Sequence, residues 1–256
     1  MPVLNGAGTI MRALDSIQGQ GDLDVEILVQ DGGSTDGTLD LLAGRPGVSC
    51  VSEPDRGLSD AFNKGAARAD GELLGWLNAD DAYLPGALSM VLEAFRSHPE
   101  LTWMTGPCII VDGQGRPIRQ GVTKYKNFLL RHWSPATYLT QNFVSAPSTF
   151  FRRDAFERVG GMDLGLRYSM DYDLYLRLGL ERAPLIITQP LAEFTMAEGT
   201  LSMTGFRSQF REHEAVARRY RDYSRLGYRV NVVTSRGIVV TYRTMQLLRD
   251  RRNRRV

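Results

Sequence analysis

The sequence predicts an α/β protein with a mostly parallel sheet flanked by helices. The first observation is an alternation of β-branched apolar runs with helical runs over the first hundred residues, which builds a parallel sheet. The second is that glycine, proline or aspartate follows each run. The third is composition, because 256 residues that are 43% hydrophobic and 23% charged suffice for one sizeable core.

The elements follow one another in a regular order up to about residue 100, and less regularly beyond it. The predicted strands are residues 25–30, 47–53 and 71–78, and the predicted helices are residues 38–44, 58–70 with Ser59 as N-cap, and 85–98. Beyond them we expect a hairpin at 102–118 turning at "DGQG", an irregular stretch at 123–150, and helices at 153–159 and about 170–181. We expect one domain over residues 1–204 and a C-terminal helical appendage with a basic tail over 205–256.

Cysteine usage and the lack of targeting signals predict a cytoplasmic protein. Cys50 and Cys108 lie in strand-like runs without ligand spacing, which is typical of a reducing compartment. No signal peptide is visible, and no apolar run approaches the roughly 20 residues of a spanning helix. The net charge of +2 is mild, and the arginines gather in the tail "LLRDRRNRRV" without interleaved aromatic residues, so nucleic acid is not an expected partner.

Acidic residues follow three of the predicted strands, at Asp31, at Asp55 and at the pair Asp80 and Asp81. Because ligands bind beyond the carboxyl ends of parallel strands, we expect these turns to line one crevice. Aspartate also favours turns for local reasons, but no Lys or Arg stands beside Asp80 and Asp81 in the sequence. Magnesium and manganese prefer carboxylate oxygens and commonly bridge them to a diphosphate, so the pattern favours a metal–diphosphate site.

Four stretches together resemble the family 2 glycosyltransferases with the Rossmann-like GT-A fold, and most of all the bacterial branch that builds surface polysaccharides. They are "PVLNGAGTI", "VQDGGSTDGT", "SEPDRGLSDAFNKGAARADGELLGWLNADD" and "APSTFFRRDAFERVGGMDLGLRYSMDYDLYLRLG", within about residues 2–200. Several motifs in the right order make the resemblance specific. The nearest rival, the dinucleotide motif GxGxxG, is not matched, because "GAGTIM" lacks the last glycine and no strand precedes it.

The resemblance implies a nucleotide-sugar donor and a set of nucleotide-binding residues. Pro2 and Asn5 belong to the first turn, and Asp31 matches the acid that contacts the nucleotide base. Asp55 lies where the family closes around the nucleoside, and Asn78 is the expected ribose contact.

The resemblance also implies a divalent cation, magnesium or manganese. The segment from Asn78 to Asp80 occupies the family's DxD position with Asn in place of the first Asp, so Asp80 is the expected metal ligand and Asp81 is expected to assist. The family's Arg-x-His segment, whose His completes the metal site, corresponds to Thr195 and Ala197 here. The third ligand is therefore missing or comes from another residue such as Glu198.

The start of the chain also departs from the family pattern. The family's first strand is an apolar run before the "PVxN" turn, whereas this chain begins at Met1 and Pro2. Loss of a central strand would leave backbone groups of its neighbours unpaired. We therefore expect the first strand to be missing and the natural polypeptide to start upstream.

The reaction implied is attack of an acceptor hydroxyl on the anomeric carbon of the donor, with inversion, and the family's base position is Asp171. Helical spacing places Asp171 on one face with Leu174 and Leu178, which predicts that it points inward. Asp173 has Arg177 one turn later and is predicted to form an exposed ion pair. The alternative for Asp171 is a helix N-cap.

The expected acceptor is a saccharide or a lipid-linked saccharide. An apolar stripe of Val239, Tyr242, Met245 and Leu248 next to the basic tail is typical either of a packed helix or of an interfacial helix on an anionic membrane surface. Two other functions were weighed. A nucleotidyltransferase should carry a glycine- and lysine-rich loop near the N-terminus, and none is visible; a non-catalytic nucleotide-sugar binder stays open.

Overall fold

The structure is a computed structural model that describes residues 1–196 and 206–253. Its strands are β1 (Pro2–Val3), β2 (Ile27–Asp31), β3 (Val48–Ser52), β4 (Leu73–Gly75), β5 (Ala82–Tyr83), β6 (Trp103–Thr105), β7 (Cys108–Val111), β8 (Thr149–Arg152), β9 (Leu185–Ile186) and β10 (Ala192–Thr195). Its α-helices are α1 (Ile10–Gln18), α2 (Thr38–Leu42), α3 (Leu58–Ala67), α4 (Ala87–Ser97), α5 (Gln120–Arg131), α6 (Pro135–Thr140), α7 (Arg153–Arg158), α8 (Met170–Glu181), α9 (Phe206–Arg219) and α10 (Arg225–Asn253).

Three small sheets form the β-structure of the described residues. The first is parallel throughout, in the order β1-β2-β3, with Ile27 opposite Val48. The second has the order β4-β8-β6-β9, in which β8 runs antiparallel to both of its neighbours. The third places β10 between β5 and β7, antiparallel to β5 and parallel to β7. The predicted parallel arrangement therefore holds for the first sheet, and the later strands make a mixed structure.

Helix α8 lies in the centre of the largest apolar cluster and is buried along most of its length. Tyr175 of this helix stacks on Trp103 with ring centroids 5.8 Å apart. A Cβ atom at Gly179 would lie 2.5 Å from Trp133 Cζ2, so the helix needs glycine there. Val216 and Ala217 of α9 complete the same cluster, which places the C-terminal helices against the core.

The sequence predicted that the first strand is missing, and the structure has a strand of two residues in this position. Pro2 and Val3 pair in parallel with Gln30 and Asp31 of β2. The Met1 ammonium group continues this edge by donating to the Leu28 carbonyl oxygen at 2.7 Å. Beyond it, a groove of about 560 Å³ lies between β2 and β4.

The region predicted to be irregular, residues 123–150, contains two helices, α5 and α6. The sequence did not predict helix α5, because apolar residues lie on its exposed face as well as its buried one and the amphipathic periodicity is therefore weak. Helix α6 has a regular start, since Ser134 Oγ accepts a hydrogen bond from Thr137 N at 3.0 Å and Pro135 follows.

Two further predictions were wrong in detail. The N-cap of α3 is Gly57, at φ 114°, and Ser59 instead donates to the Leu166 carbonyl oxygen. The predicted hairpin exists only around "DGQG", where Val111 bridges Pro117; β6 pairs with β8 and β9, not with β7.

The predicted C-terminal stripe falls mostly outside what is described. Val239 is half-buried, and the side chains of the other three residues lie outside the described residues. Among the helices described, none combines the length and the apolar character needed to cross a bilayer.

Candidate functional site

The loop that follows β1 is hydrogen-bonded along its length to the loop that follows β2. Asn5 adopts the left-handed conformation at φ 54°, and its backbone N–H donates to Ser34 Oγ at 2.7 Å. Its side-chain oxygen accepts a hydrogen bond from Thr35 N at 2.9 Å, and Ala7 N donates to Asp36 Oδ2 at 3.0 Å. These contacts fix both loops at the carboxyl edge of the parallel sheet, where Pro2 and Val3 of β1 pair with the end of β2.

Asp31 ends β2, and its buried carboxylate organises the loop after it. It accepts hydrogen bonds from Gly33 N at 2.9 Å, Ser34 N at 3.0 Å and Ser52 Oγ at 2.6 Å, and another from Ser34 Oγ. Burial alone would raise the pKa of Asp31, but the hydrogen bonds from Ser34 and Ser52 outweigh it and lower the pKa. The residue is therefore a constant anion, and its predicted contact with a nucleotide base stays a prediction.

Asp55 lies directly against the Asp31 loop. Its Oδ1 accepts a hydrogen bond from Gly57 N at 2.8 Å. A Cβ atom at Gly32 would stand 2.6 Å from Asp55 Oδ2, so glycine is what allows this approach. Two of the three acidic turns thus meet, as the order of strands predicted.

The third turn is built around a network between Asn78 and Asp81. Trp76 Nε1 donates to Asn78 Oδ1 at 2.7 Å, and Asn78 Nδ2 donates to Asp81 Oδ2 at 2.9 Å. Asp81 Oδ1 accepts a hydrogen bond from Thr195 N at 2.9 Å, which ties the turn to β10. Burial and the neighbouring charge of Asp80 raise the pKa of Asp81 to about 8. Both Asn78 and Asp81 therefore serve the turn itself, and their predicted ligand contacts stay predictions.

A cation stands beside this acidic pair, although none is near it in the sequence. Arg12, on α1, donates to the Asp80 carbonyl oxygen at 3.3 Å and to Thr195 Oγ1 at 3.2 Å, and it forms an ion pair with Glu193. Burial raises the pKa of Asp80, and the charge of Arg12 opposes that rise. The expectation that Asp80 and Asp81 have no positively charged residue nearby is therefore wrong, because the fold brings Arg12 to them.

The turn fits a metal ion that is shared with a ligand better than one held by protein alone. Within residues 1–196 and 206–253, no group of three or more His, Cys, Asp or Glu side chains is arranged to hold a metal ion. Asp81 is occupied by its own hydrogen bonds, which leaves Asp80 as the available carboxylate. Magnesium is commonly held by one or two carboxylates together with substrate phosphates, and this donor set suits that mode. Ala197 and Glu198, weighed for the third position, lie outside the described residues.

Asp171 lies in the first turn of α8 and is fixed by a relay of side chains. Its Oδ2 accepts a hydrogen bond from Asn142 Nδ2 at 3.0 Å, and Asn142 Oδ1 accepts one from the Tyr138 hydroxyl at 2.8 Å. Burial raises the pKa of Asp171, while the Asn142 hydrogen bond and the charge of Lys126 oppose the rise. The N-cap residue of α8 is Ser169, so the N-cap alternative for Asp171 is wrong.

The start of α8 is held from outside by α9. One carboxylate oxygen of Glu212 accepts hydrogen bonds from the backbone N–H groups of Arg167, Tyr168 and Ser169, each at 2.9 Å. An anion suits this position because the N-terminal end of a helix carries partial positive charge. The C-terminal helices thereby position the segment that carries Asp171.

Asp173 is not the exposed ion-pair partner that helical spacing predicted. It is 2% exposed, and its carboxylate binds Arg177 Nε at 2.8 Å, Arg219 Nη1 at 3.2 Å and the Tyr220 hydroxyl at 3.1 Å. The pairing with Arg177 is correct. Asp173 is covered by the end of α9, where Arg219 binds it. Arg219 and Asp173 are more than 40 positions apart in the sequence, so no local pattern predicts this contact.

A small cavity lies between α5, β7 and β10. Its volume is about 150 Å³, and its lining includes Cys108, Lys126 and Ser145. Lys126 Nζ donates to Ser145 Oγ at 3.1 Å and lies within electrostatic reach of Asp171, while Cys108 lies within reach of Asp81. Sequence reasoning missed Lys126, as it missed Arg12, Asn142 and Glu212, because no local motif marks any of them.

Comparison with known proteins gives a consistent family likeness. A model of the family described as "Glycosyl transferase family 2" matches residues 1–160. The chondroitin synthase of Escherichia coli is 27% identical over 184 residues, which are 70% of this chain and 26% of that protein. The chain thus spans about a quarter of that relative's length.

Two solved structures share the fold. The S. aureus TarS 1–349 structure in complex with UDP has a TM-score of 0.62 and 16% identity, and the match covers 84% of this chain and 63% of that one. The mannosyltransferase PcManGT from Pyrobaculum calidifontis, in complex with GDP-Man and Mn2+, has a TM-score of 0.60 and 18% identity, covering 96% and 79%. At such low identity these likenesses establish the fold alone.

Proposed function

The chain belongs to glycosyl transferase family 2, and from that premise we propose that it is an inverting, metal-dependent glycosyltransferase. It moves a sugar from a nucleotide-diphosphate donor to an acceptor hydroxyl, in the synthesis of a cell-surface polysaccharide or glycolipid. Its GT-A fold agrees with the solved structures. One observation carries the proposal: the turns at Asp31 and Asp55 contact each other, and the turn before Asp80 packs against the loop after β1, where a Cβ atom at Gly6 would lie 3.3 Å from Ala79 Cβ. A separate buried carboxylate, Asp171, is oriented by Asn142.

The donor is held by the two linked loops. Asp31 and Asp55 form the nucleoside end, with Pro2 and Asn5 fixing the first loop beside them. The diphosphate lies at Asp80, where Arg12 adds positive charge next to the acidic pair. The UDP and GDP-Man complexes of the two proteins that share the fold support a nucleotide-sugar donor of this type.

A magnesium or manganese ion would be held by Asp80 together with the phosphates of the donor, with Asp81 and Asn78 keeping the turn in shape. When bound, it neutralises the charge that develops on the departing diphosphate. The Mn2+ in the mannosyltransferase complex supports this assignment.

Asp171 is the general base. The acceptor O–H bond breaks and its proton passes to the Asp171 carboxylate, while the acceptor oxygen bonds to the anomeric carbon. The bond from that carbon to the diphosphate oxygen breaks, and its electron pair leaves with the diphosphate. A single displacement inverts the anomeric centre. The raised pKa of Asp171, caused chiefly by burial, makes it a better proton acceptor than an exposed aspartate.

The acceptor is a saccharide or a lipid-linked saccharide, and nucleic acid is not a partner. Cytoplasmic work at the inner face of a membrane suits the two free thiols, Cys50 and Cys108. A non-catalytic nucleotide-sugar binder is the second candidate. The observation in its favour is that Asn78 replaces an acid and that both Asn78 and Asp81 are engaged within the turn.

Nucleotide calorimetry and a transfer assay test both candidates. UDP, GDP and dTDP are titrated with manganese and with EDTA, and metal-dependent binding of one nucleotide is expected. Asp80→Ala should abolish it, whereas Asp22→Ala, which removes an exposed acid elsewhere, should not. Asp171→Asn should bind the nucleotide normally and lose sugar transfer to a saccharide acceptor. Full turnover by Asp171→Asn would contradict the assigned base, and donor binding without any transfer by the wild type would favour the binder.

A further inference from the structure

Helix α10 has polar residues on the face that packs against the protein and apolar residues on the face that is exposed, the reverse of an ordinary surface helix. Its inward face carries Gly227, Asn231 and Ser235, all buried, and Asn231 donates to the Leu139 carbonyl oxygen at 3.1 Å. Its outward face carries Leu226 and Val233, which are 74% and 70% exposed. Exposed apolar residues grouped on one helix face are typical of an interaction surface.

Helix α5 shows a second apolar face. Val122, Tyr125 and Phe128 follow one another at helical spacing, all are exposed, and Phe128 is 59% exposed. Helix α5 contains no acidic residue, and its charged residues are lysines and an arginine. The face is therefore apolar, and the exposed charged residues beside it, Lys124 and Arg131, are cationic, whereas Lys126 turns into the cavity.

The two helices meet at the same end of α6. The Tyr125 hydroxyl of α5 donates to Gln141 Oε1 at 3.4 Å, and Thr234 Oγ1 of α10 donates to the neighbouring Thr140 carbonyl oxygen at 3.3 Å. We call the six residues Val122, Tyr125, Phe128, Leu226, Val230 and Val233 the outer apolar surface. The next residue along the chain, Asn142, donates to Asp171, so the end of α6 that both helices contact leads directly to Asp171.

Charge decides what covers this surface. Helix α10 carries exposed arginines at 225, 229 and 236, of which Arg236 also pairs with Glu214 of α9, and its first acidic residue is Asp250. A symmetric dimer through this surface would place these arginines opposite the same arginines of the second copy, and the like charges would repel. An anionic bilayer offers hydrocarbon to the apolar residues and phosphate to the arginines.

We propose that the outer apolar surface is the face by which this protein lies on an anionic lipid bilayer. Leu226, Val230 and Val233 enter the interface, and the arginines beside them bind lipid phosphates. Docking in this way brings the Asn142 end of the site to the membrane, so that Asp171 receives an acceptor held in the lipid. This last step rests on the proposed function, whereas the docking itself does not.

Vesicle co-sedimentation of the full chain tests the docking. The vesicles are phosphatidylcholine alone, and equal parts of phosphatidylcholine and phosphatidylglycerol. We expect binding to the mixed vesicles at least tenfold stronger than to the neutral ones, and weaker at high salt because arginine–phosphate attraction is screened. The combined variant Leu226→Ser, Val230→Ser, Val233→Ser should lose most of this binding. The matched control, Leu39→Ser with Leu41→Ser, removes two exposed leucines from α2 and should keep it.

Two further measurements separate the outcomes. Arg229→Glu reverses one charge on the exposed face of α10 and should weaken binding to the anionic vesicles alone. Equal vesicle binding by wild type and serine variant, or binding to neither vesicle, would overturn the proposal, as would a dimer in light scattering that the serine variant abolishes. Manganese-dependent nucleotide binding is measured on the same samples without lipid. If the wild type binds the anionic vesicles but no nucleotide, only the proposed function is contradicted.

Discussion

At the residue scale, the properties of the site come from neighbours that are far away in the sequence. Asp171 is surrounded by groups that set its pKa, and two of those that stabilise its charge, Asn142 and Lys126, come from the segment between β7 and β8. Arg12 reaches Asp80 from α1 in the same way. The motifs singled out these acids, whose membership of the site stays a prediction, but not the partners, because a hydrogen bond across 29 or more positions leaves no periodic signal.

The pH dependence of transfer should report the hydrogen bond between Asn142 and Asp171. Burial already raises the pKa of Asp171, and the Asn142 amide opposes this by favouring the charged form. Asn142→Ala removes the amide, so the pKa rises further and the acid limb of kcat/KM moves to higher pH. A lost hydrogen bond of about 1 kcal/mol corresponds to a shift of about 0.7 pH unit.

Tyr138→Phe is the graded control for that measurement, because it removes only the hydroxyl that donates to Asn142 Oδ1. It should move the acid limb in the same direction by a smaller amount. If the acid limb of Asn142→Ala coincides with that of the wild type, Asn142 does not act on the base.

At the element scale, helices and strands with local signals were predicted well, and those that depend on distant partners were not. Helix α8 was expected at about 170–181 and spans Met170–Glu181. Helices α5 and α6 were missed, because an exposed apolar face hides the amphipathic pattern in α5 and α6 has only six residues. The pairing of β6 with β8 and β9 could not be predicted, since strands that join across 40 or more residues leave no turn signal.

The packing of α8 gives a prediction with an unusual sign. Gly→Ala inside a helix normally stabilises by up to about 1 kcal/mol. At Gly179 the added Cβ would meet Trp133 at 2.5 Å, so we expect Gly179→Ala to lower the free energy of unfolding by about 1–3 kcal/mol. Gly65→Ala in α3 is the matched control, since nothing lies within 4 Å of its Cβ position, and it should stabilise. Urea denaturation measures both, and a stable Gly179→Ala would mean that Trp133 moves aside freely.

At the scale of the whole molecule, the sequence predicted an α/β fold whose acidic turns meet at one sheet edge, and the structure agrees for the turns at Asp31 and Asp55. The division into residues 1–204 and 205–256 stays a prediction, but the packing argues that the two parts depend on each other. Val216 of α9 belongs to the same core as α8, and Arg219 shares the buried carboxylate of Asp173. Such long-range contacts decide the molecule's cooperativity and are invisible in local patterns.

Glu212 tests whether the C-terminal helices support α8, the helix that carries the proposed base Asp171. Its carboxylate receives three backbone N–H groups just before Asp171, and Glu212→Ala leaves them without that partner. We expect a loss of about 1–2 kcal/mol in the free energy of unfolding, as for a lost helix cap.

Sugar transfer by Glu212→Ala should slow by about tenfold, since 1.4 kcal/mol of lost positioning in the transition state is a factor of ten. Nucleotide affinity should stay unchanged, because the hydrogen bonds of Glu212 go to the segment just before α8 and not to the proposed donor loops. Glu214→Ala, two positions along on α9, removes only ion pairs with the exposed Arg218 and Arg236 and should change neither quantity measurably. Equal kcat values for the two variants would mean that α9 is a passive cover, whereas a selective loss in Glu212→Ala would make the C-terminal helices part of the catalytic apparatus.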